Sequence, residues 1–492
     1  MNSNPTRNIL SLRKEDPSGG PVDSLPLVVD LDGTLVKTNL LIESFFILMK
    51  QNPLYIFVIP FWLLKGRAFL KRQISERVNF DVSVLPYNEE LLGHLKVQRV
   101  QGRRLVLATG TDERIARQVA HHLQLFDTVL ASNGTTNLSG RSKRDRLVSE
   151  FGIKSFDYAG NDRRDLAVWS SARKAIIVNS KRSLSRAVAQ VAEIDWVLAS
   201  QAKGWKSYLR ALRLHQWLKN LLVFVPLVMA HRFYELDLLV KAFLAFIAFG
   251  FCASGVYLIN DLVDLPADRR HPRKRQRPFA AGDLPFLWGL ATIPLLLGLS
   301  LLVSLLLPLP FLGILVIYFL SNLGYSFTLK KIVLLDVIVL GGLYTMRIMA
   351  GSASVGLWPS HWLLAFSMFL FFSLALVKRY AELVTMEAET GMVQVRGYQI
   401  IDKELLASFG AGSGYVAVLV LALYISSGVA EVHYTRHQLI WLLCPLLLYW
   451  ISYVWLIAHR GGMHDDPLVF TARDGVSRIV MFLAAVVLLF AK

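Results

Sequence analysis

The run N-D-L-V-D-L-P-A-D spaces Asn260, Asp264 and Asp268 four residues apart, with Asp261 three residues before Asp264. On a continuing helix these side chains share one face. Pro266 can break the helix, but the spacing still gathers acids at one edge of an apolar stretch. Three carboxylates held together repel unless a divalent cation neutralises them, and Mg²⁺ suits such oxygen donors while sharing its coordination with substrate phosphates. Just downstream, His271, Lys274 and Arg277 supply cationic groups for those phosphates. A second group lies in Y-S-F-T-L-K-K-I-V-L-L-D, with Tyr325 and Lys330 in a loop and Asp336 and Arg347 in the apolar run that follows. Ionisable residues inside such a run are costly and usually face a functional cavity. Asp336 and Arg347 are eleven residues apart, three turns on one face, so they could also simply pair. A third group, Lys378, Arg379, Tyr380 and Glu382, ends another apolar run. Together the three groups describe a site for a phosphorylated substrate, with Asp261, Asp264, Asp268 and Asp336 as its candidate catalytic acids.

Another acidic pair stands near the N-terminus in L-V-V-D-L-D-G-T-L. Asp30 and Asp32 are two apart where an apolar strand emerges into a turn, so they point the same way and can share a site with Mg²⁺. Apolar runs at 105–109, 128–131, 157–160 and 175–178 alternate with helical segments. That alternation predicts a parallel, doubly wound sheet with ligands at the strand C-termini. The insert 40–65 is apolar and fits a helical cap, and its run 53–64 is too short to span a bilayer comfortably. It predicts a helix lying in the membrane interface.

The elements that position these groups divide at about residue 208. Before it, charged and apolar residues mix; after it, apolar runs of membrane length recur almost to the C-terminus. A bilayer core about 30 Å thick is what demands runs of roughly 20 apolar residues. Nine spans are predicted, at 217–230, 238–260, 287–307, 311–327, 334–354, 361–377, 406–427, 439–458 and 475–491. The net charge of +17 sits largely in alternate connections such as D-R-R-H-P-R-K-R-Q-R-P, which argues for positive-inside bias and against a nucleic-acid partner. That bias places the N-terminus in the cytoplasm and the C-terminus outside a cell (inner) membrane. Cys252 and Cys444 both fall in apolar spans, so no disulfide framework is implied. The first 24 residues are polar, without the apolar core of a signal peptide, and read as a short disordered lead.

The pattern N-D-x-x-D-x-x-x-D resembles the first signature of the UbiA superfamily, over residues 209–492. The resemblance implies a bundle of nine transmembrane helices that uses Mg²⁺, held by Asn260, Asp261, Asp264 and Asp268, to cleave an activated diphosphate. A finer similarity is to the decaprenyl-phosphate phosphoribosyltransferases. It rests on D-R-R-H-P-R-K-R-Q-R-P-F-A-A-G, Y-S-F-T-L-K-K-I-V-L-L-D with the distal Arg347, K-R-Y-A-E-L and H-D-D-P-L-V-F-T-A-R-D. Aromatic prenyltransferases of the superfamily usually carry a second D-x-x-x-D; here Asp336 is followed four residues later by Leu340. That departure argues against a second Mg²⁺ held as in prenyl-diphosphate users.

Residues 25–185 resemble the haloacid dehalogenase (HAD) superfamily, with a cap over about 40–100. The resemblance implies Asp30 as phosphoryl-accepting nucleophile and Asp32 as general acid/base. Thr109 would bond the transferring phosphoryl group and Lys143 would neutralise it. The metal motif, usually G-D-x-x-x-D, reads G-N-D-R-R-D, so Asn161 replaces its first acid and leaves Asp165; the implied Mg²⁺ set is Asp30, Asp32, Asn161 and Asp165. Residues 186–208 are expected to be a linker. The combined reading is a multi-domain protein: an α/β HAD-like phosphatase head, then an all-α membrane transferase. The transferase is expected to move 5-phosphoribose from phosphoribosyl pyrophosphate to a polyprenyl phosphate, and the head to remove the 5-phosphate of the product. The alternatives are prenyl transfer from a polyprenyl diphosphate to an aromatic or other lipid-soluble acceptor, an inactive scaffold-like head, and a transporter-like protein with a regulatory head.

Overall fold

The computed structural model describes residues 25–52, 54–180, 182–199, 204–271, 274–390, 394–395, 397–463 and 466–492, so the lead expected over 1–24 lies outside the described residues. The chain forms two compact units. One runs up to Gly204 and also takes in Val263–Phe286; the other comprises Trp205–Leu262 and Leu287–Lys492.

In the first unit six strands form a parallel sheet: β1 (Leu27–Val29), β2 (Leu105–Asp112), β3 (Thr128–Ser132), β4 (Asp157–Gly160), β5 (Lys174–Ser180) and β6 (Glu193–Ala199). Their order is β3-β2-β1-β4-β5-β6. All three residues of β1 are buried, as expected of a central strand covered on both faces. The chain builds outward from β1 to one side and then to the other, and such a reversal opens a crevice at the strand's C-terminal end. Asp30 stands there. Three helices, α1 (Leu40–Gln51), α2 (Tyr55–Leu64) and α3 (Arg67–Arg77), are inserted between β1 and β2 together with α4 (Glu89–Val100). The cap was expected over this stretch. α5 (Glu113–Leu123) and α6 (Arg141–Phe151) follow β2 and β3. α1 begins at Asn39, whose side chain accepts from Ile42 N at 3.2 Å. α2 presents Phe57 at 71% and Leu64 at 85% exposure, so its apolar residues are not spent on a core.

The expected linker 186–208 is corrected. A helix at Arg182–Ala189 and the edge strand β6 occupy its first half and extend the sheet. Along β6, exposed Glu193 and Asp195 alternate with half-buried Ile194 and Trp196. This period-2 pattern packs one face and wets the other, and its polar half hides the strand in the sequence.

Among the described residues of the second unit seven helices are long and apolar enough to cross a bilayer: Leu236–Val263, Phe286–Ser304, Leu309–Phe327, Leu335–Val355, His361–Thr385, Ile400–Ser426 and His437–His459. Pro467–Arg473 and Gly475–Ala491, bent by 84° at Asp474, make an eighth if counted as one span. Nine were expected; seven or eight helices of that length are present among the described residues. The first expected span becomes a 3₁₀ segment, Leu214–Phe224, joined to a five-residue helix Val225–Met229 with Pro226 in its first turn. Lys219 and Asn220 make the segment too polar, and proline lacks the N–H that would carry the helix through.

Small residues let these helices approach closely. A Cβ added at Gly351 would lie 2.0 Å from the Val223 carbonyl oxygen, so the helix Leu335–Val355 touches the 3₁₀ segment backbone to backbone. Forced overpacking of this kind costs about 1–3 kcal/mol. Gly351→Ala should lower the thermal unfolding midpoint of the detergent-solubilised protein by several degrees. Gly342→Ala on the same helix, where nothing lies within 4 Å, should leave it unchanged.

Candidate active sites

The head's site forms where β1 ends. Asp30 is buried and accepts from Lys143 Nζ of α6 at 2.7 Å. Lys143 also donates to Tyr158 OH at 3.0 Å and lies 3.8 Å from Asp165. Asp165 is committed in turn: Oδ1 accepts from Tyr158 OH at 2.9 Å, and Oδ2 from the Asn161 and Asp162 backbone N–H groups at 3.1 Å each. Asp32 accepts from Leu40 N at 2.7 Å and from the Thr111 hydroxyl. Thr109 is fully buried within β2, its hydroxyl oxygen accepting from Thr111 N at 3.0 Å. Gly33 has φ +75°, and a Cβ there would meet the Asn161 amide nitrogen at 2.1 Å. Only a glycine lets Asn161 close over the turn, where its Oδ1 accepts from Thr34 at 3.2 Å.

Electrostatics follow from this packing. Burial pushes Asp30 up to about 7, against the pull of Lys143 and with help from Asp165 and Asp32. Burial also raises Asp32, although the hydrogen bonds from Thr111 and Leu40 oppose it. For Lys143 burial opposes the charge, yet Asp30 and Asp165 hold its ammonium above the ordinary lysine value. A buried carboxylate with a raised proton affinity is one that a further positive charge would stabilise. Asp30, Asp32, Asn161 and Asp165 bring side-chain oxygens to this end of the sheet, a donor set that fits a Mg²⁺ ion, and Asp165 also accepts from Tyr158 OH and two backbone N–H groups. Residue reading of the sequence missed Lys71 of α3, which donates to the Gly110 carbonyl and to Asn137 Oδ1, and also Thr111 and Tyr158. Nothing in their local sequence marks them.

The acidic run after residue 259 is not gathered on one helix face, which corrects that expectation. The helix ends at Val263, and Asp264 opens a second short helix, Leu265–Arg270, with Pro266 in its first turn. Each acid takes its own cation. In the second unit Asp261 accepts from Arg213. In the first, Asp268 accepts from Arg277 at 2.6 Å and Asp264 lies 3.6 Å from Lys50. Among the described residues no three His, Cys, Asp or Glu side chains stand together as a metal site. Asn260 Oδ1 nonetheless is shielded from solvent without a hydrogen-bond donor among the described residues, an orphaned oxygen that fits a cation. Arg277, expected on phosphate, is paired here with Asp268, and His271 Nδ1 accepts from Lys274 N at 3.4 Å.

Elsewhere in the second unit, Asp336 is fully buried, with its oxygens taken by Arg379 and by Tyr398 OH. Arg379 further donates to Glu382 and Tyr325 OH, each at 2.6 Å. Asp336 thus holds Arg379, and its partner is not Arg347. Lys330 lies in a 3₁₀ turn, Leu329–Lys331. Arg347 donates to Asn220 Oδ1 at 3.0 Å and Tyr318 OH at 2.7 Å, and lies over the rings of Tyr318 and Tyr344. Asp466 accepts from Lys219 at 2.7 Å, Lys378 at 3.1 Å and Tyr344 OH at 2.9 Å. Burial alone would raise Asp466, but the two lysines hold it well below the usual carboxylate range. Two cations for one carboxylate leave positive charge for an anion. Lys219 and Asn220, a polar pair in an apparent span, carry no pattern of their own, whereas Asp466 lies in the run H-D-D-P-L-V-F-T-A-R-D, whose signal was one of resemblance and not of a residue role.

The UbiA prenyltransferase family matches residues 221–486. The chain belongs to that family. It is 35% identical over 466 residues to an uncharacterized protein, y4nM, of Sinorhizobium fredii, covering 94% of this chain and 90% of that protein. It is 36% identical over 179 residues to the decaprenyl-phosphate phosphoribosyltransferase of Mycobacterium tuberculosis, covering 35% of this chain and 59% of that protein. Among solved structures, a UbiA homolog from Archaeoglobus fulgidus bound to GPP and Mg²⁺ is 20% identical, with 57% of this chain and 99% of that one covered at a TM-score of 0.45. This UbiA family member is therefore an integral membrane enzyme whose first unit adds a parallel α/β head.

The sign of the Asp30 shift can be checked. An unfolded carboxyl loses its proton near 3.8, the folded one near 7. Between those values the folded state binds more protons, so stability falls as pH rises through the window. Asp30→Asn removes that cost. The thermal unfolding midpoint, followed by intrinsic fluorescence, should therefore fall less steeply from pH 4 to pH 8 in the variant than in wild type. An unchanged pH slope in the variant contradicts the assignment.

Proposed function

We propose that the second unit transfers 5-phosphoribose from phosphoribosyl pyrophosphate to a polyprenyl phosphate, and that the head removes the 5-phosphate of the product. The observation that carries this reading is the 36% identity over 179 residues to a decaprenyl-phosphate phosphoribosyltransferase. Leu340 adds support: where a second D-x-x-x-D would end in an acid, it packs against an apolar core with Val337 and Leu376. Mg²⁺, when bound by Asn260, Asp261, Asp264 and Asp268, supplies charge neutralisation to the departing diphosphate. Lys219, Arg347 and Lys378 stabilise negative charge developing on the substrate, with Lys274, Arg277 and Lys330 as further cations, and such preorganised charge is usually the largest catalytic contribution. An oxygen of the lipid phosphate attacks the anomeric carbon, that carbon's bond to the pyrophosphate oxygen breaks, and pyrophosphate departs with the electron pair.

In the head, Asp30 Oδ attacks the phosphorus of the monoester and Asp32 protonates the leaving hydroxyl oxygen. Water activated by Asp32 then cleaves the aspartyl-phosphate. Lys143, held by Asp165, neutralises the phosphoryl oxygens, and Thr109 bonds them. Fusion raises the local concentration of the lipid product to about the millimolar range for a short flexible tether. The exposed apolar residues of α2 suit an interfacial helix that keeps a lipid-linked substrate within reach. The basic connections support a head on the cytoplasmic face.

Three results test this. Asp264→Asn should abolish transfer while the protein still elutes as a folded species. Purified protein should release pyrophosphate from labelled phosphoribosyl pyrophosphate in the presence of polyprenyl phosphate; a large kcat/KM preference for a prenyl diphosphate instead selects prenyl transfer. Lipid products resolved by mass should be dephosphorylated with wild type and retain the 5-phosphate with Asp30→Asn. Identical masses from both would remove the head from the sequence of reactions.

A further inference from the structure

The helix Leu265–Arg270 carries Asp268 and, beside it, Arg269, a charged residue that the reaction above does not use. Arg269 is buried, and its guanidinium makes a two-pronged contact with Glu43 of α1, at 2.8 Å to Oε2 and 2.6 Å to Oε1. Both side chains are about 5% exposed or less. The remaining Nε donates to the Ala280 carbonyl at 3.2 Å, so Arg269 ties the two ends of the loop to one another as well as to α1. Both partners belong to the same compact unit.

Further contacts repeat the pattern along the same segment. Lys50, also on α1, donates to the Val263 carbonyl at 2.9 Å, one residue before Asp264. Arg270 donates to Asp81 at 2.6 Å. A Cβ at Gly282 would lie 2.8 Å from Lys37 Cβ, so the returning strand of the loop lies flat on the turn that follows Asp32. Phe286 meets Phe46 of α1 with ring centroids 4.3 Å apart. A buried ion pair contributes little net stability compared with apolar residues of the same volume, and its best-attested use is to set register. Here it lies next to the last acid of the N-D-x-x-D-x-x-x-D run.

We propose that Glu43 is a positioning residue for the transferase: through Arg269 it holds the loop that carries Asp264 and Asp268 in the geometry that receives Mg²⁺ and the diphosphate. The head then has a second role, independent of phosphatase chemistry, as the support of the acidic loop. This inference rests on the reading that Asp264 and Asp268 serve the diphosphate.

Glu43→Gln keeps the shape of the side chain and removes its charge. Loss of a partner behind a metal ligand typically costs 10–100-fold in metal affinity. The Mg²⁺ concentration for half-maximal pyrophosphate release should rise by at least about tenfold on that scale. Hydrogen exchange of full-length protein should accelerate in peptides from 263–286 while those from β1, β2 and β4 remain as protected as in wild type. Arg269→Lys, which keeps the charge but not the two-pronged geometry, should shift both readouts in the same direction and covers the case in which Glu43→Gln does not fold. Unchanged Mg²⁺ dependence and unchanged exchange in the folded variants would overturn the proposal. Wild-type transfer by Asp264→Asn would instead remove the reading beneath it, and the two failures are distinct.

Discussion

An ion moved from water into an apolar interior loses several kcal/mol of solvation unless a partner of opposite charge lies within reach. That constraint organises the second unit. Asp466 is shared by Lys219 and Lys378, and Asp336 binds Arg379 with Tyr398 completing its shell. Among the described residues Arg347 has no carboxylate at hydrogen-bond distance; an amide, a carbonyl, a phenol and two aromatic faces take its place. These partners come from helices far apart in sequence, so the pairs also fix which helices are neighbours. The cations outnumber the acids where Lys219, Lys378 and Arg347 converge on the Tyr344 ring and Asp466, and a phosphate-bearing substrate would complete the balance.

The head meets the same constraint with different chemistry. Lys143 sits between Asp30 and Asp165, held by the first at hydrogen-bond distance and by the second at 3.8 Å, with Tyr158 bridging. Asp165 spends its other oxygen on the backbone of the turn that carries Asn161. Asp30 therefore keeps a high proton affinity, the kind of perturbed group that clusters at functional sites. Asn161 adds an oxygen to this cluster without adding a charge.

The acidic loop meets the same constraint within the first unit. Its acids are neutralised one by one, by Lys50 and Arg277, and its neighbour Arg269 is anchored on Glu43. Ion pairs of this kind hold a Pro-containing connection in place together with its buried Leu265, Phe279 and Leu284.

Much of this protein could be read from residue order alone, because some constraints are local. Bilayer thickness sets the length of an apolar run, so the spans from 238 onward were legible, as was the strand ending in Asp30 and Asp32 and the break at Pro266. The resemblance carried by N-D-x-x-D-x-x-x-D pointed to the family that the match over 221–486 assigns. What lay beyond reach was set by partners distant in sequence. The pairing of Asp336 with Arg379 rather than Arg347, the closure of Asp165 on Lys143, and the sharing of Asp466 between two lysines depend on helices that meet only when packed. The same holds for β6, whose half-polar pattern becomes a strand only when β5 offers an edge, and for the short polar segment at Leu214–Phe224. Periodicity and length are properties of the chain, whereas the partner that makes a buried charge tolerable is a property of the fold, and here tertiary packing alone selected it.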